Sequence, residues 1–133
     1  MTRDASLTVS SLLSVVLFTV HLAHDIVFGL DAMTRGGTFT FLLIMLVSLY
    51  GTVELAGRRS GYVATLLLGL LAAGMPVLHT VGGPRSARLG IAFVWTLLAL
   101  GTSGVFTAAL SARGLWRSVR GRPEALLNGQ PRI

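Results

Sequence analysis

Four ionisable side chains lie within or at the edge of long apolar segments, where charged groups are costly. They are His21, His24, Asp25 and His79, and they include every histidine of the chain. Ionisable residues inside a membrane segment usually face other protein or a water-filled cavity, and they mark functional sites. Imidazole nitrogen and carboxylate oxygen are a common ligand set for zinc, copper or iron. The four residues therefore predict a site for a metal ion, a haem or another small ligand.

Two arrangements of these residues would hold a metal centre. His21 and His24 lie three residues apart and can contact one ion, which Asp25 or His79 would complete; Asp25 could instead orient a histidine ligand. A haem would take one histidine from each of two helices, and His24 with His79 fit that pattern. Trp95 is predicted at a similar depth, either as a wall of the pocket or in an interfacial aromatic belt. The bound species stays open between zinc, copper, iron and haem.

A structural role for the same residues is the competing interpretation. Histidine near a helix end often forms only interfacial hydrogen bonds, and His24 and Asp25 can pair with each other or with Arg85 or Arg88. Burying three ionisable groups on one helix is nevertheless expensive. For the group as a whole, use as a ligand set or proton relay is therefore favoured as strongly as a structural role.

Four apolar segments must position these side chains. About 20 helical residues, rising about 1.5 Å each, cross the hydrocarbon core of a bilayer. The lengths of the segments and their lack of alternation exclude strands. The connections between them are short, which forces antiparallel neighbours. We therefore predict an all-α membrane protein, a bundle of four transmembrane helices running up, down, up and down, at 7–30, 39–56, 62–81 and 89–110.

The composition limits the class of protein further. The chain has 133 residues, of which 53% are hydrophobic and 12% charged, with a mean hydropathy of +0.75. A soluble domain has about 25% charged residues, so lipid is the main solvent. The absence of cysteine excludes disulfides, thiolate catalysis and cysteine-ligated metals. The length allows one domain at most.

The eleven arginines predict the orientation. Eight of them fall on the side of the N-terminus, the second loop and the C-terminus, and three on the other side. The positive-inside rule then places both termini in the cytoplasm. Residues 1–113 form the predicted bundle, and 114–133 form a basic, partly disordered cytoplasmic tail. A short interfacial helix is predicted at about 111–120, with its arginines facing anionic headgroups. We predict a multi-pass protein, in the cytoplasmic (inner) membrane if the chain is bacterial, that binds no nucleic acid.

Polar stripes run along two of the predicted helices. Spacings of three, four and seven residues place each stripe on one helix face. Hydroxyl groups on two helices favour interhelical hydrogen bonds. The stripes comprise Ser10, Ser14, His21 and Asp25 in the first helix, and Thr96, Ser103, Thr107 and Ser111 in the fourth.

Pro76 predicts a kink in the third helix just before His79, because proline cannot donate to the carbonyl of Ala72. With Gly74 nearby, the end of that helix could splay from its neighbours. A small cavity lined by imidazoles would result, although a purely architectural role for Pro76 is favoured.

Three functions are compatible with these patterns. The first is a membrane protein that binds a metal, haem or other small ligand. The alternative is a non-catalytic subunit or assembly factor, whose small-residue ridges at 69–73 and 101–104 would contact other membrane subunits or a second copy. The third is a dimeric proton-coupled transporter, but the inner half offers only Glu54 as a carboxylate. No catalytic motif is present, and enzyme activity stays open because a metal site can support acid–base chemistry.

Overall fold

The computed structural model describes residues 5–27, 35–81 and 90–120, and it places them in four helices. No strand occurs within these ranges, which confirms the all-α fold class. Residues 28–30 and 89, which were predicted to be helical, lie outside the described residues. The same is true of the loop 82–88 and of the tail beyond residue 120. The helices are α1 (Ala5–Val27), α2 (Arg35–Val53), α3 (Arg59–Val81) and α4 (Gly90–Arg120).

Three of the helices, α1, α3 and α4, are long and apolar enough to cross a membrane. The apolar part of α2 is shorter and covers Gly37–Val53, which is close to the minimum of about 17 residues for a span. All four helices expose large apolar side chains, such as Leu46, Leu67 and Phe106. Lipid is the natural environment for these surfaces. The orientation with both termini inside stays a prediction.

Helices α1, α2 and α3 begin two to four residues before the predicted bounds, and the C-terminal ends of α2 and α4 also differ from them. Helix α4 continues without a break to Arg120, so the segment 111–120 is the end of α4 and not a separate interfacial helix. The guanidinium of Arg59 donates to the backbone carbonyl of Ser118 at 3.0 Å and ties this extension to the start of α3. Helix α2 ends earlier than predicted, at Val53, and Gly57 takes a φ of 78° in the turn that follows. Only glycine adopts that conformation without strain.

Small residues bring α3 and α4 into the most extensive helix contact of the bundle. A Cβ atom added to Gly69 would overlap the backbone of Ala108, and one added to Gly104 would overlap the backbone of Ala73. Close approach of backbones through small residues is a usual way for membrane helices to associate. The ridges at 69–73 and 101–104 thus pack against each other. Their use as contact faces for another subunit stays a prediction, which this packing within the chain does not support.

Hydroxyl groups join α1 to α4, as the two polar stripes predict. The Ser14 hydroxyl donates to the Ser103 hydroxyl at 3.1 Å and lies 3.1 Å from the hydroxyl of Thr107. The Ser10 and Thr107 hydroxyls are 2.8 Å apart. Thr96 differs from the rest of its stripe, because its hydroxyl donates to the Ala92 carbonyl of its own helix. These contacts also show that α1 and α4 run antiparallel.

Two further hydroxyl pairs connect the remaining helices. Ser11 on α1 lies 2.6 Å from Thr52 on α2, oxygen to oxygen. Thr65 on α3 lies 2.8 Å from Ser111 on α4. All four side chains are buried. Ser11, Thr52 and Thr65 were not identified from the sequence, because each is the single hydroxyl that its helix contributes to that contact.

An apolar layer follows the hydroxyl contacts along the bundle. Its members come from α1, α3 and α4, and all are fully buried: Phe18, Leu68, Ala72 and Leu100. On α1 this layer lies between Ser14 and His21, so it separates the hydroxyl groups from the predicted ligand residues. The bundle therefore has a polar half, an apolar middle layer and a histidine-containing end.

We expect Gly104→Ala to destabilise the protein, because the new methyl group overlaps the backbone of α3. The expected loss in the free energy of unfolding is about 1–3 kcal/mol, measured by denaturant titration in detergent micelles. Gly74→Ala is the matched control, since a Cβ there meets no atom within 4 Å. Equal destabilisation by the two substitutions would contradict the packing described for α3 and α4.

Candidate metal centre

Three of the predicted ligand residues converge at one end of the bundle. His21 and Asp25 are one helical turn apart near the end of α1, and His79 lies near the end of α3. The two ends meet because α1 and α3 both run antiparallel to α4. One ligand atom from each residue can be chosen so that all three atoms lie within 4.8 Å of one another. We call these three residues the His/Asp cluster.

The distances within the His/Asp cluster suit a shared ion better than direct hydrogen bonds. Nε2 of His21 lies 3.6 Å from Oδ2 of Asp25, and Nε2 of His79 lies 3.9 Å from the same oxygen. Hydrogen bonds between nitrogen and oxygen are usually about 2.7–3.2 Å long. Two ligands of a tetrahedral zinc ion, with bonds of about 2.0–2.1 Å, are about 3.3 Å apart. Because the three atoms lie within 4.8 Å of one another, a closing movement of up to about 1.5 Å would bring them to that separation.

A backbone contact sets the protonation pattern of the His79 ring. Nδ1 of His79 lies 3.0 Å from the carbonyl oxygen of Met75. A carbonyl only accepts hydrogen bonds, so Nδ1 must donate its proton there. In the neutral ring, Nε2 then has the lone pair, and it lies on the side of Asp25. Metal-bound histidines are usually held in this way, by a hydrogen bond from the second ring nitrogen.

The burial of His21 is the least expected property of the cluster. Its side chain is 1% exposed, and neither ring nitrogen has a hydrogen-bond partner among the described residues. A buried polar group without a hydrogen-bond partner lowers the free energy of unfolding by about 1–3 kcal/mol. Exposure increases from His21 to Asp25 (15%) and His79 (24%). The cluster is thus closed toward the apolar layer and more open toward the end of the bundle.

Helix α4 supplies an aromatic wall to the cluster. The ring of Phe93 is fully buried, and its centroid lies 5.2 Å from that of His21 and 5.5 Å from that of His79. The two imidazoles meet edge to face, with centroids 4.8 Å apart. Sequence reasoning did not identify Phe93. The sequence contained one indication of this contact. Phe93 lies near the start of α4, and the start of α4 meets the end of α3 when the two helices run antiparallel.

His24 and Trp95 occupy other surfaces. Successive residues of a helix are turned by about 100°, so His24 lies about a quarter turn around α1 from Asp25, and it borders a shallow depression with Val20 and Val27. Trp95 is two residues after Phe93 and therefore on the opposite face of α4, where it is 66% exposed. The three-atom group that could hold a metal includes neither residue. A haem between His24 and His79, with Trp95 as a pocket wall, stays a prediction.

Pro76 lies inside α3, which continues past it to Val81. Its ring packs against α4 at Gly101, where an added Cβ would lie 2.7 Å from Cγ of the proline. Beyond this contact, the rings of His21, His79 and Phe93 pack together. Aromatic side chains thus occupy the space between the helices where a cavity lined by imidazoles was expected.

Comparisons with protein-family models, with curated proteins and with solved structures find no match for this chain. The chain is a small helical protein with helices able to span a membrane and a His/Asp cluster that could hold a metal ion. Its function has to be inferred from the chemistry of that cluster.

We expect His21→Phe to stabilise the metal-free protein, because it replaces a buried imidazole without hydrogen bonds by an apolar ring of similar shape. The expected gain in the free energy of unfolding is about 1–3 kcal/mol, measured in detergent with a chelator present. His79→Phe is the control, since it removes the hydrogen bond to Met75 and should give no gain. Loss of stability in His21→Phe without metal would show that the imidazole has a structural partner.

Proposed function

We propose that the protein is an integral membrane protein that binds one divalent transition-metal ion between α1 and α3. The ligands are the imidazoles of His21 and His79 and the carboxylate of Asp25. The observation that supports this most is the convergence of three ligand atoms within 4.8 Å around a buried imidazole whose nitrogens have no hydrogen-bond partner in the described part of the chain. A metal ion would supply a partner for Nε2 of His21, which faces Asp25; it would not supply one for Nδ1.

Zinc fits the ligand set and its spacing best. Two imidazoles and one carboxylate form three-ligand zinc sites, in which water or substrate takes the fourth tetrahedral position. The same residue types also bind iron(II) in an octahedral arrangement. Ligands at right angles around an octahedral ion, with bonds of about 2.1 Å, are only about 3.0 Å apart. The separations of 3.6 and 3.9 Å are closer to the tetrahedral value.

The accessibility of the cluster favours binding over transport. His79 and Asp25 are partly exposed, whereas the fully buried layer around Phe18 and Leu100 lies on the other side of His21. An ion can thus exchange with the solution at one end of the bundle and meets an apolar barrier toward the other. By the positive-inside rule, the open end is the extracytoplasmic one. Glu54, the carboxylate that a proton-coupled transporter would need, is exposed in the turn after α2.

The alternative of a non-catalytic subunit or assembly factor has lost its main support. The small-residue ridges that suggested it pack within the chain, between α3 and α4. The fourth coordination position of the proposed site is compatible with a bound water, so acid–base chemistry at the metal stays open.

Binding of zinc or cobalt should require the His/Asp cluster and leave His24 unused. We expect one ion per chain in the detergent-purified protein, and a cobalt(II) spectrum typical of tetrahedral coordination. His21→Ala, Asp25→Asn and His79→Ala should each weaken binding by at least about 10-fold. His24→Ala is the matched control and should bind as the parent does. Metal analysis after dialysis and titration with cobalt measure these outcomes.

Two results would contradict the proposal. Unchanged metal binding in all three cluster variants would exclude the site. A Soret band that disappears in His24→Ala would show that the ligand is haem and not a single metal ion. The predicted pair of haem ligands, His24 and His79, would then apply.

Metal should also stabilise the fold, because the ligands join two helices that otherwise share few contacts. At a free zinc concentration of about 100 times Kd, the free energy of unfolding should rise by about 2.7 kcal/mol. Denaturant titration with and without zinc measures this rise. It should fall to about 1.4 kcal/mol or less in Asp25→Asn and persist in His24→Ala. A rise of the same size in Asp25→Asn would show that zinc acts elsewhere on the chain.

A further inference from the structure

An apolar groove runs along the outer surface of the bundle between α1 and α4. Except for the buried Ser103, its walls are exposed or half-buried side chains, and the metal site uses none of them. In α4 they extend from Trp95 to Leu110, which is about 22 Å at a rise of about 1.5 Å per residue. That length exceeds the thickness of one leaflet of hydrocarbon, about 15 Å. The main apolar residues of the groove are Val9, Leu13, Leu17, Trp95, Leu98 and Phe106.

Arginines continue the groove along the same face of α4. Arg113 and Arg117 follow the lining residues of α4 in the sequence. Their spacing from Trp95, Phe106 and Leu110 places them on the same side of the helix. At about 100° per residue, both arginines point within about 40° of the direction of Trp95. Arg120 follows on the same stripe. The apolar groove thus ends in a short cationic surface one turn beyond Leu110.

The arginines of this surface are available for an anionic ligand. Arg113 and Arg117 are exposed, and the ion pairs found among the described residues involve neither of them. Arg120 lies over the ring of Trp116 at 4.5 Å, an arrangement common at the membrane–water interface. Helix α4 has 31 residues, about 46 Å, so its last turns extend beyond a hydrocarbon core of about 30 Å. The arginines therefore lie at the depth of lipid headgroups.

We propose that this surface binds an anionic phospholipid, with an acyl chain in the groove and the phosphate between Arg113 and Arg117. Each part of the ligand meets its chemical complement: hydrocarbon meets Leu13 and Phe106, and phosphate meets guanidinium groups that can bind it in a bidentate manner. The site is independent of the His/Asp cluster, which lies at the other end of the bundle.

A second copy of the chain suits the same surface less well. Copies in one membrane with the same orientation would associate around a two-fold axis along the membrane normal, which brings equivalent residues face to face. Arg113 and Arg117 would then meet the same arginines of the other copy. Like charges placed opposite each other in an interface cost several kcal/mol. An anionic lipid neutralises these charges instead.

Fluorescence quenching by brominated lipids tests the proposal, because the chain has only two tryptophans. In Trp95→Phe/Phe106→Trp/Trp116→Phe, the remaining fluorescence comes from position 106, which lines the groove about 10 Å from Arg113 along α4. We expect dibrominated phosphatidylglycerol to quench it at lower mole fractions than dibrominated phosphatidylcholine, in mixed vesicles at low salt. Arg113→Gln and Arg117→Gln should each reduce the preference about fivefold.

Controls separate this site from general attraction to a charged membrane. Arg58→Gln removes the same charge at the same end of the bundle but off the α4 stripe, and it should keep the preference. Thr102→Phe fills the groove one turn from position 106 and should weaken quenching by both lipids. Equal quenching by the two lipids in the parent, or an equal effect of Arg58→Gln and Arg117→Gln, would overturn the proposal. So would competition by inorganic phosphate, or a dimer that disappears when the groove is filled.

Discussion

Inside a bilayer, every buried polar group must find its partner within the protein, because lipid offers no hydrogen bonds. This constraint organises the whole bundle. The hydroxyl groups of Ser10 and Ser14 bind those of Ser103 and Thr107, and separate pairs connect α1 to α2 and α3 to α4. Against this background of satisfied side chains, His21 is an exception, since its ring nitrogens have no hydrogen-bond partner in the described part of the chain. That contrast is why the His/Asp cluster, and not another polar contact, is the candidate site.

Much of this arrangement could be predicted from the sequence. The apolar segment lengths gave four helices, and the short connections gave their antiparallel order. The spacing of Ser10, Ser14, His21 and Asp25 correctly placed the four on one face of α1, with hydroxyl partners on α4 and His79 near Asp25. These features depend on helix periodicity and chain direction, which a single sequence contains.

The remaining features depend on rotation and contact between helices, which a single sequence does not fix. Phe93 and Trp95 differ by two positions and therefore by more than half a turn, and only the rotation of α4 decides which of them meets His21. The same limit applies to the small-residue ridges: Gly69 and Gly104 look equally suited to contact within the chain and contact with a partner. The continuation of α4 to Arg120 depends on packing at its end, including the bond from Arg59 to Ser118.

The hydroxyl contacts between α1 and α4 join the helix that is synthesised first among the four with the one that is synthesised fourth. While the chain emerges from the ribosome, Ser10 and Ser14 enter the membrane before Ser103 and Thr107 exist. The polar face of α1 therefore stays without these partners while α2 and α3 are synthesised. Completion of the bundle is consequently a late event in biosynthesis, and it depends on the arrival of α4.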